Sequence, residues 1–203
     1  MITVIDLEIG NIASVCGALK HLGVPHKVSR DKDDIGQADK LILPGVGSFA
    51  EASGRLKASA LTGVIRKSVL ERKVPILGIC LGMQLFATHG EEGGASDGLD
   101  LIRGKISYHR SGAMGLKLPH IGWNEVTYND FRIFDSIENG SCFYFVHSYE
   151  MIPDEEVKVA YSDYGVRFVA AIQKSNIVGV QFHPEKSQKP GLKLLNNFCS
   201  GVM

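Results

Sequence analysis

At 203 residues, with 44% hydrophobic and 22% charged residues, the chain has enough apolar material to bury a core without disulfides or metal, and reads as one domain over 1–203. Lys+Arg and Asp+Glu both number 22, a balance that argues against nucleic acid or an anionic membrane surface as partner. Cys16, Cys80, Cys142 and Cys199 show no C-x-x-C spacing, no secretory leader precedes Ile2, and the longest apolar stretch, Val74 to Ala87, is too short to span a bilayer, so reduced thiols in a cytoplasm are expected.

Ile2 to Asp6 is a run of β-formers, and Asn11 caps a predicted helix whose Ile12, Val15, Cys16, Leu19 and Leu22 recur at helical spacing up to Gly23. Cys16 falls on its buried face and is expected in the core. Pro25 to Ser29 and Lys40 to Pro44 read as further strands, joined by the polar connection Asp31 to Asp39. The glycine-rich Pro44-Gly45-Val46-Gly47-Ser48-Phe49 then stands at the carboxyl end of a buried strand, where open α/β sheets bind ligands. It reads either as an ordinary turn or as a strip of backbone N–H donors for an oxyanion. Phe49 to Lys73 is predicted helical, with a break near Thr62-Gly63 and a basic end that suits a solvated helix terminus.

Val74 to Ala87 carries the most specific signal. A buried strand leads into Gly78-Ile79-Cys80-Leu81-Gly82 and then into a predicted helix, Leu81 to Thr88, which puts Cys80 on a sharp strand-to-helix turn. Such a turn needs glycine two residues either side of the nucleophile, because larger side chains would collide with strand or helix. The helix aims free N–H groups at the sulfur, which favours thiolate over thiol. The competing reading is an inert buried cysteine.

After the polar turn His89 to Gly94 the pattern changes to strands: Ile102 to Tyr108, Asn124 to Tyr128, Cys142 to His147, Val157 to Tyr161, Phe168 to Ile172 and Ile177 to Phe182, with turn signals at Asn139-Gly140 and Asp163-Tyr164-Gly165. A last helix is predicted over Gly191 to Cys199. The expected fold class is α/β: an open, mostly parallel central sheet with flanking helices and additional antiparallel strands in the C-terminal half. Just past the last strand, Pro184 holds Gln181-Phe182-His183-Pro184-Glu185-Lys186-Ser187 out of helix, so His183 and Glu185 are expected to project together, the carboxylate fixing one imidazole nitrogen and leaving the other to take a thiol proton. Of the other histidines only His120 and His147 have distinctive surroundings; His21, His26, His89 and His109 read as solvated or turn residues. Trp123, the single tryptophan, reads as interface anchor or core residue.

Asp6 with Gly10-Asn11, Pro44 to Phe49, Gly78 to Gln84, Pro119-His-Ile-Gly-Trp-Asn124, Tyr144-Phe-Val-His-Ser-Tyr149 and His183-Pro-Glu-Lys-Ser187 span nearly the whole chain. In these segments the sequence resembles the class I (triad) glutamine amidotransferases, and among them the glutaminase subunits of imidazole glycerol phosphate synthases. The resemblance implies that Cys80 attacks the amide of glutamine, that His183 serves as base and that Glu185 orients it, with no metal and no cofactor. It implies an oxyanion site from the N–H of Leu81 and the Gly45-Val46-Gly47 strip. Gln84, with the backbone near Ser148 and Tyr149, would hold the amino-acid end of glutamine. Ammonia becomes ammonium in neutral water, so a partner must receive it directly; the family's partner is a (β/α)8-barrel cyclase making imidazole glycerol phosphate and an aminoimidazole carboxamide ribotide in histidine biosynthesis. Asn11, Trp123, Tyr144 and Lys186 would lie on the partner face, with His120 and His147 nearby in structural roles. The chain departs from the family in having Leu7-Glu8 where Tyr-Gly is common after Asp6, which leaves open a paralogue feeding a similar barrel in surface-sugar biosynthesis. Two other classes are weighed beside these: a peptidase-like or stress-response relative of the fold, and a scaffolding subunit without chemistry.

Overall fold

The computed structural model describes residues 1–202. A central eight-stranded sheet runs in the order β2-β1-β3-β4-β14-β13-β12-β9, where β1 is Ile2–Ile5, β2 His26–Ser29, β3 Lys40–Gly45, β4 Ile76–Cys80, β9 Thr127–Tyr128, β12 Lys158–Tyr164, β13 Val166–Lys174 and β14 Ile177–Val180. From β2 to β14 the pairings are parallel; β13, β12 and β9 continue antiparallel. The expected α/β class with antiparallel additions in the second half is what the chain forms.

Strand alternation sorts the core onto the two faces of this sheet. Val4, Ile42, Leu77 and Ile79 pack with Val15 and Leu19 of α1 (Ile12–His21) and with Leu194 and Phe198 of α6 (Gln188–Ser200). Ile5, Leu41, Leu43 and Ile76 face the other way, onto Ile35 of α2 (Lys32–Gly36), Phe49 and Leu56 of α3 (Phe49–Ser59) and Ile65 of α4 (Leu61–Arg66). Asn11, Asp31 and Ser48 cap α1, α2 and α3, each side-chain oxygen accepting a first-turn N–H. Cys16, expected in the core, is only half-buried at its margin.

Two small sheets complete the second half. One pairs β8 (His120–Glu125) with β10 (Cys142–His147); the other has the order β11-β7-β5-β6, from Tyr149–Pro153, Gly104–Tyr108, His89–Gly90 and Ser96–Asp97. Three local expectations are corrected. The polar connection after residue 31 contains α2, nucleated by the Asp31 cap. The break in the long helix falls at Ala60, with φ of 53°, before Thr62-Gly63, and Lys67–Glu71 widens into a π turn. The helix after Cys80 is short: α5 is Leu81–Gln84, because the carbonyls of Leu85, Phe86 and Ala87 are taken by N–H groups of Leu99 to Ile102.

Candidate active site

β3, β4 and β14 are adjacent parallel strands, with Gly45 in register with Cys80 and Val180 with Ile79. Their carboxyl ends therefore open side by side, delivering the Gly45-Val46-Gly47 strip, Cys80 and His183 to one edge of the sheet. Cys80 ends β4 at φ 54°, ψ −111°, a conformation costly for a residue with a side chain and held by its surroundings. A Cβ on Gly78 would lie 2.6 Å from the Phe86 ring, and one on Gly82 only 1.7 Å from the Leu43 carbonyl oxygen. The glycines flanking Cys80 are thus required by contact, as the spacing predicts. Gly45 packs closely as well, its missing Cβ 3.1 Å from Leu81.

The cavity beside Cys80 has a volume of about 140 Å³ and is lined by Val46, Gly47, Cys80, Leu81, Gln84, Glu92, Val146, His147, Ser148 and Tyr149. The Cys80 thiol donates to the Val146 carbonyl at 3.8 Å and receives the Gln181 amide at 3.7 Å. Gln84 is buried, and both hydrogens of its Nε2 are spent, on the Tyr149 carbonyl at 3.1 Å and Gln181 Oε1 at 3.0 Å. Its Oε1 is the group it has left for the cavity.

His183 Nδ1 donates to Glu185 Oε1 at 2.8 Å, and both side chains are almost completely buried. Pro184–Lys186 forms a 3-10 turn, so the pair meets across a turn and not along the extended segment that the spacing suggests. In the neutral ring the tautomer this bond selects leaves the Nε2 lone pair to take a proton, and Nε2 has no other hydrogen-bond partner. Burial opposes charging the ring, but the Cys80 sulfur and the Glu185 carboxylate outweigh it and raise the His183 pKa to about 10, so that the ring holds the proton it takes from the thiol.

Glu92, Val146 and Gln181 are site residues to which the sequence reading assigns no role. Glu92 accepts the Phe49 N–H at 2.8 Å, and burial raises its carboxyl pKa against the pull of that bond. For Gln181 a signal exists: it lies two residues before His183 at the end of a strand, hence on the same side.

Trp123 and Tyr144 pair across β8 and β10 with ring centroids 5.8 Å apart, and Lys186 Nζ stands 5.7 Å from the centre of the Tyr144 ring. Trp123 is 46% and its neighbour Ile121 61% exposed, so the tryptophan is a surface residue. Asn11 caps α1, which packs against the Pro184–Lys186 turn. Leu7 is buried, and Glu8 takes φ 58°, a conformation that glycine enters without cost; its carboxylate pairs with Arg30 and Arg55 at the surface.

His147 is buried in the cavity wall with His120 behind it, joined Nδ1 to Nε2 at 3.1 Å, while His147 Nδ1 donates to the Tyr149 carbonyl at 2.9 Å. His109 is a correction: expected at a solvated turn, it is wholly buried, edge-on to Phe168 at 4.9 Å and to His147 at 5.2 Å. Its Nδ1 caps the turn Arg110–Met114, so the local sequence has the character of a surface turn while β13 covers it. Burial lowers all three pKa values, that of His147 to about 3. The unfolded chain would bind these protons near pH 6.5 and the folded chain would not, so stability is expected to fall as pH falls from about 6.5 toward 3, with His147 alone withdrawing on the order of 3 kcal/mol by about pH 4. His183 acts in the opposite window: its contribution is complete below about pH 6.5 and is lost as pH rises through about 10. Urea midpoints across this range check both limbs; a flat acid limb would contradict the buried neutral cluster.

No helix among the described residues is long and apolar enough to cross a membrane. By overall fold the chain is similar to a solved glutamine amidotransferase (TM-score 0.75, 20% identity, 99% of each chain) and to a second glutamine amidotransferase, from Thermotoga maritima (TM-score 0.65, 15% identity, 99% of this chain and 83% of that one). In sequence it is similar to imidazole glycerol phosphate synthase subunit HisH 1 of Campylobacter jejuni strain RM1221, 46% identical over 199 residues and 98% of both chains. It is likewise similar to subunit HisH of Moorella thermoacetica, 47% identical over 97% of this chain and 93% of that one, and to HisH of Aquifex aeolicus, 44% identical over 96% and 94%. The model of the class-I glutamine amidotransferases matches residues 3–202: the chain belongs to that family.

Proposed function

We propose that the chain is the glutaminase subunit of an imidazole glycerol phosphate synthase, with Cys80, His183 and Glu185 as its triad. The observation that carries this is the strained Cys80 in the wall of a cavity of about 140 Å³, next to the buried His183 that Glu185 orients and whose charge the Cys80 sulfur favours. Cys80 Sγ attacks the side-chain carbonyl carbon of glutamine as its proton passes to His183 Nε2. The oxyanion is met by the Leu81 N–H and a backbone N–H of the Gly45-Val46-Gly47 strip. Collapse breaks the C–N bond, His183 returns the proton to the departing nitrogen, and ammonia leaves a γ-glutamyl thioester. Water, deprotonated by His183, hydrolyses the thioester to glutamate and regenerates the thiol.

Gln84 Oε1 and the Glu92 carboxylate are acceptors at the cavity and suit the ammonium end of glutamine, with the backbone at Ser148 and Tyr149 beside them. The exposed patch of Trp123, Tyr144 and Lys186, with Asn11 on the helix packed behind it, is the surface assigned to a (β/α)8-barrel cyclase that consumes the ammonia in a cytoplasmic heterodimer. The Glu8 departure favours one second reading, a paralogue serving a similar barrel in surface-sugar biosynthesis.

Glutamate release should be measured with the chain alone and with a histidine-pathway cyclase from the same source plus its ribonucleotide substrate. Stimulation of about tenfold or more, with imidazole glycerol phosphate formed, is the expected result. Turnover without stimulation would transfer the chain to the second reading, and no turnover with either addition would overturn the first.

A further inference from the structure

Gln181 follows β14 directly, is wholly buried, and its backbone N–H donates to the Ala170 carbonyl at 2.8 Å. Its side chain stands between Cys80 and Gln84, the nucleophile and the cavity's amide. The direction of that side chain is set by hydrogen-bond polarity. Gln84 Nε2 can only donate, so Gln181 turns Oε1 toward it, at 3.0 Å, and its own Nε2 is left facing Cys80 Sγ at 3.7 Å. Gln84 is fixed in turn by its second hydrogen on the Tyr149 carbonyl.

The sulfur therefore has one side-chain donor and one carbonyl at hydrogen-bond distance. While the thiol keeps its proton it can donate to Val146; once the proton has passed to His183, that carbonyl repels the charge and the Gln181 N–H favours it alongside the charged ring. We propose that Gln181 is a catalytic residue: its amide N–H stabilises the Cys80 thiolate, and its carbonyl oxygen locks Gln84 with Oε1 turned to the substrate's ammonium group. This rests on the glutaminase reading for the substrate, but the contact with sulfur does not depend on it.

Two variants separate the two roles. Gln181→Met is close in volume and removes both donor and acceptor; Gln181→Glu keeps the acceptor for Gln84 and removes the donor to sulfur. Iodoacetamide modification of Cys80 in the full chain at pH 7, followed by peptide mapping with Cys80→Ser as blank, is expected to slow about tenfold in both variants. In the complex with its barrel partner kcat for glutamine should fall by at least as much in both, while KM rises more in Gln181→Met than in Gln181→Glu. Cys80 modification within about twofold of wild type in folded variants, whatever the change in KM, would overturn the proposal and leave Gln181 a structural support of Gln84. Thermal unfolding identifies folded variants; if Gln181→Met does not fold, Gln181→Glu decides by the same rate. Absence of glutamine turnover in the wild-type complex would count against the glutaminase reading alone, since the modification rate is read without glutamine.

Discussion

Replacing Cys80 with serine is expected to lower kcat for glutamine hydrolysis at least about a thousandfold while the chain stays folded and retains its partner. An alcohol in place of the thiol keeps the size of the side chain, so the elbow's unusual backbone at φ 54° is undisturbed. What is lost is the ease of making an anion at that atom: the His183 imidazole, held by Glu185, can take a proton from a thiol far more readily than from an alcohol. Cys142, exposed at the start of β10, is the control, and its substitution with serine should leave turnover unchanged. Glutamate release by the complex measures both. More than about a tenth of wild-type activity in Cys80→Ser would remove this residue from the chemistry.

Gly82→Ala is expected to be the most damaging single methyl in the molecule's active edge. Its Cβ would stand 1.7 Å from the carbonyl oxygen of Leu43, a backbone atom in a buried strand with nowhere to move. Relief requires α5 to separate from β3, which breaks the close packing of Gly45 on Leu81 and opens the core beside Leu43 and Phe86. A loss on the order of 4 kcal/mol or more follows, enough to unfold a marginal protein. Gly63→Ala offers the contrast: this glycine is exposed in α4 with nothing within 4 Å of the added methyl, and alanine there should raise stability by about 0.5–1 kcal/mol. Urea denaturation of both variants tests the pair. Near-native stability for Gly82→Ala would mean that the elbow is not packed as described.

How much of this is legible in the chain follows from the range over which each constraint acts. Gly78 and Gly82 announce the elbow because its steric demand falls on residues two positions from Cys80. Asn11 announces α1 because a cap and its helix are contiguous. The pairing of His183 with Glu185 is readable although its geometry is not: Pro184 argues against a continuing helix, yet the segment closes into a 3-10 turn. The length of α5 is not readable, because what ends it is a loop 14 residues further on taking the carbonyls that would extend it, with Leu99 N–H on Leu85 O at 2.7 Å. His109 escapes a local reading for the same reason. Its neighbours Tyr108, Arg110 and Ser111 are those of a surface turn, and the distant rings of His147, Tyr164 and Phe168 make the site an interior one.

The amino-acid sequence by itself made legible the glycine-flanked elbow at Cys80, the pairing of His183 with Glu185 and the alternation of strand and helix, since each of these acts between residues within a few positions of one another. Tertiary structure alone decided that β3, β4 and β14 lie side by side and bring those pieces to one edge, and that Glu92 and Val146 wall the cavity. It also decided that Gln181 faces sulfur with its nitrogen and not its oxygen. That last choice depends on a proton donor 97 residues away, and a hydrogen bond's direction is fixed only when both ends are in place.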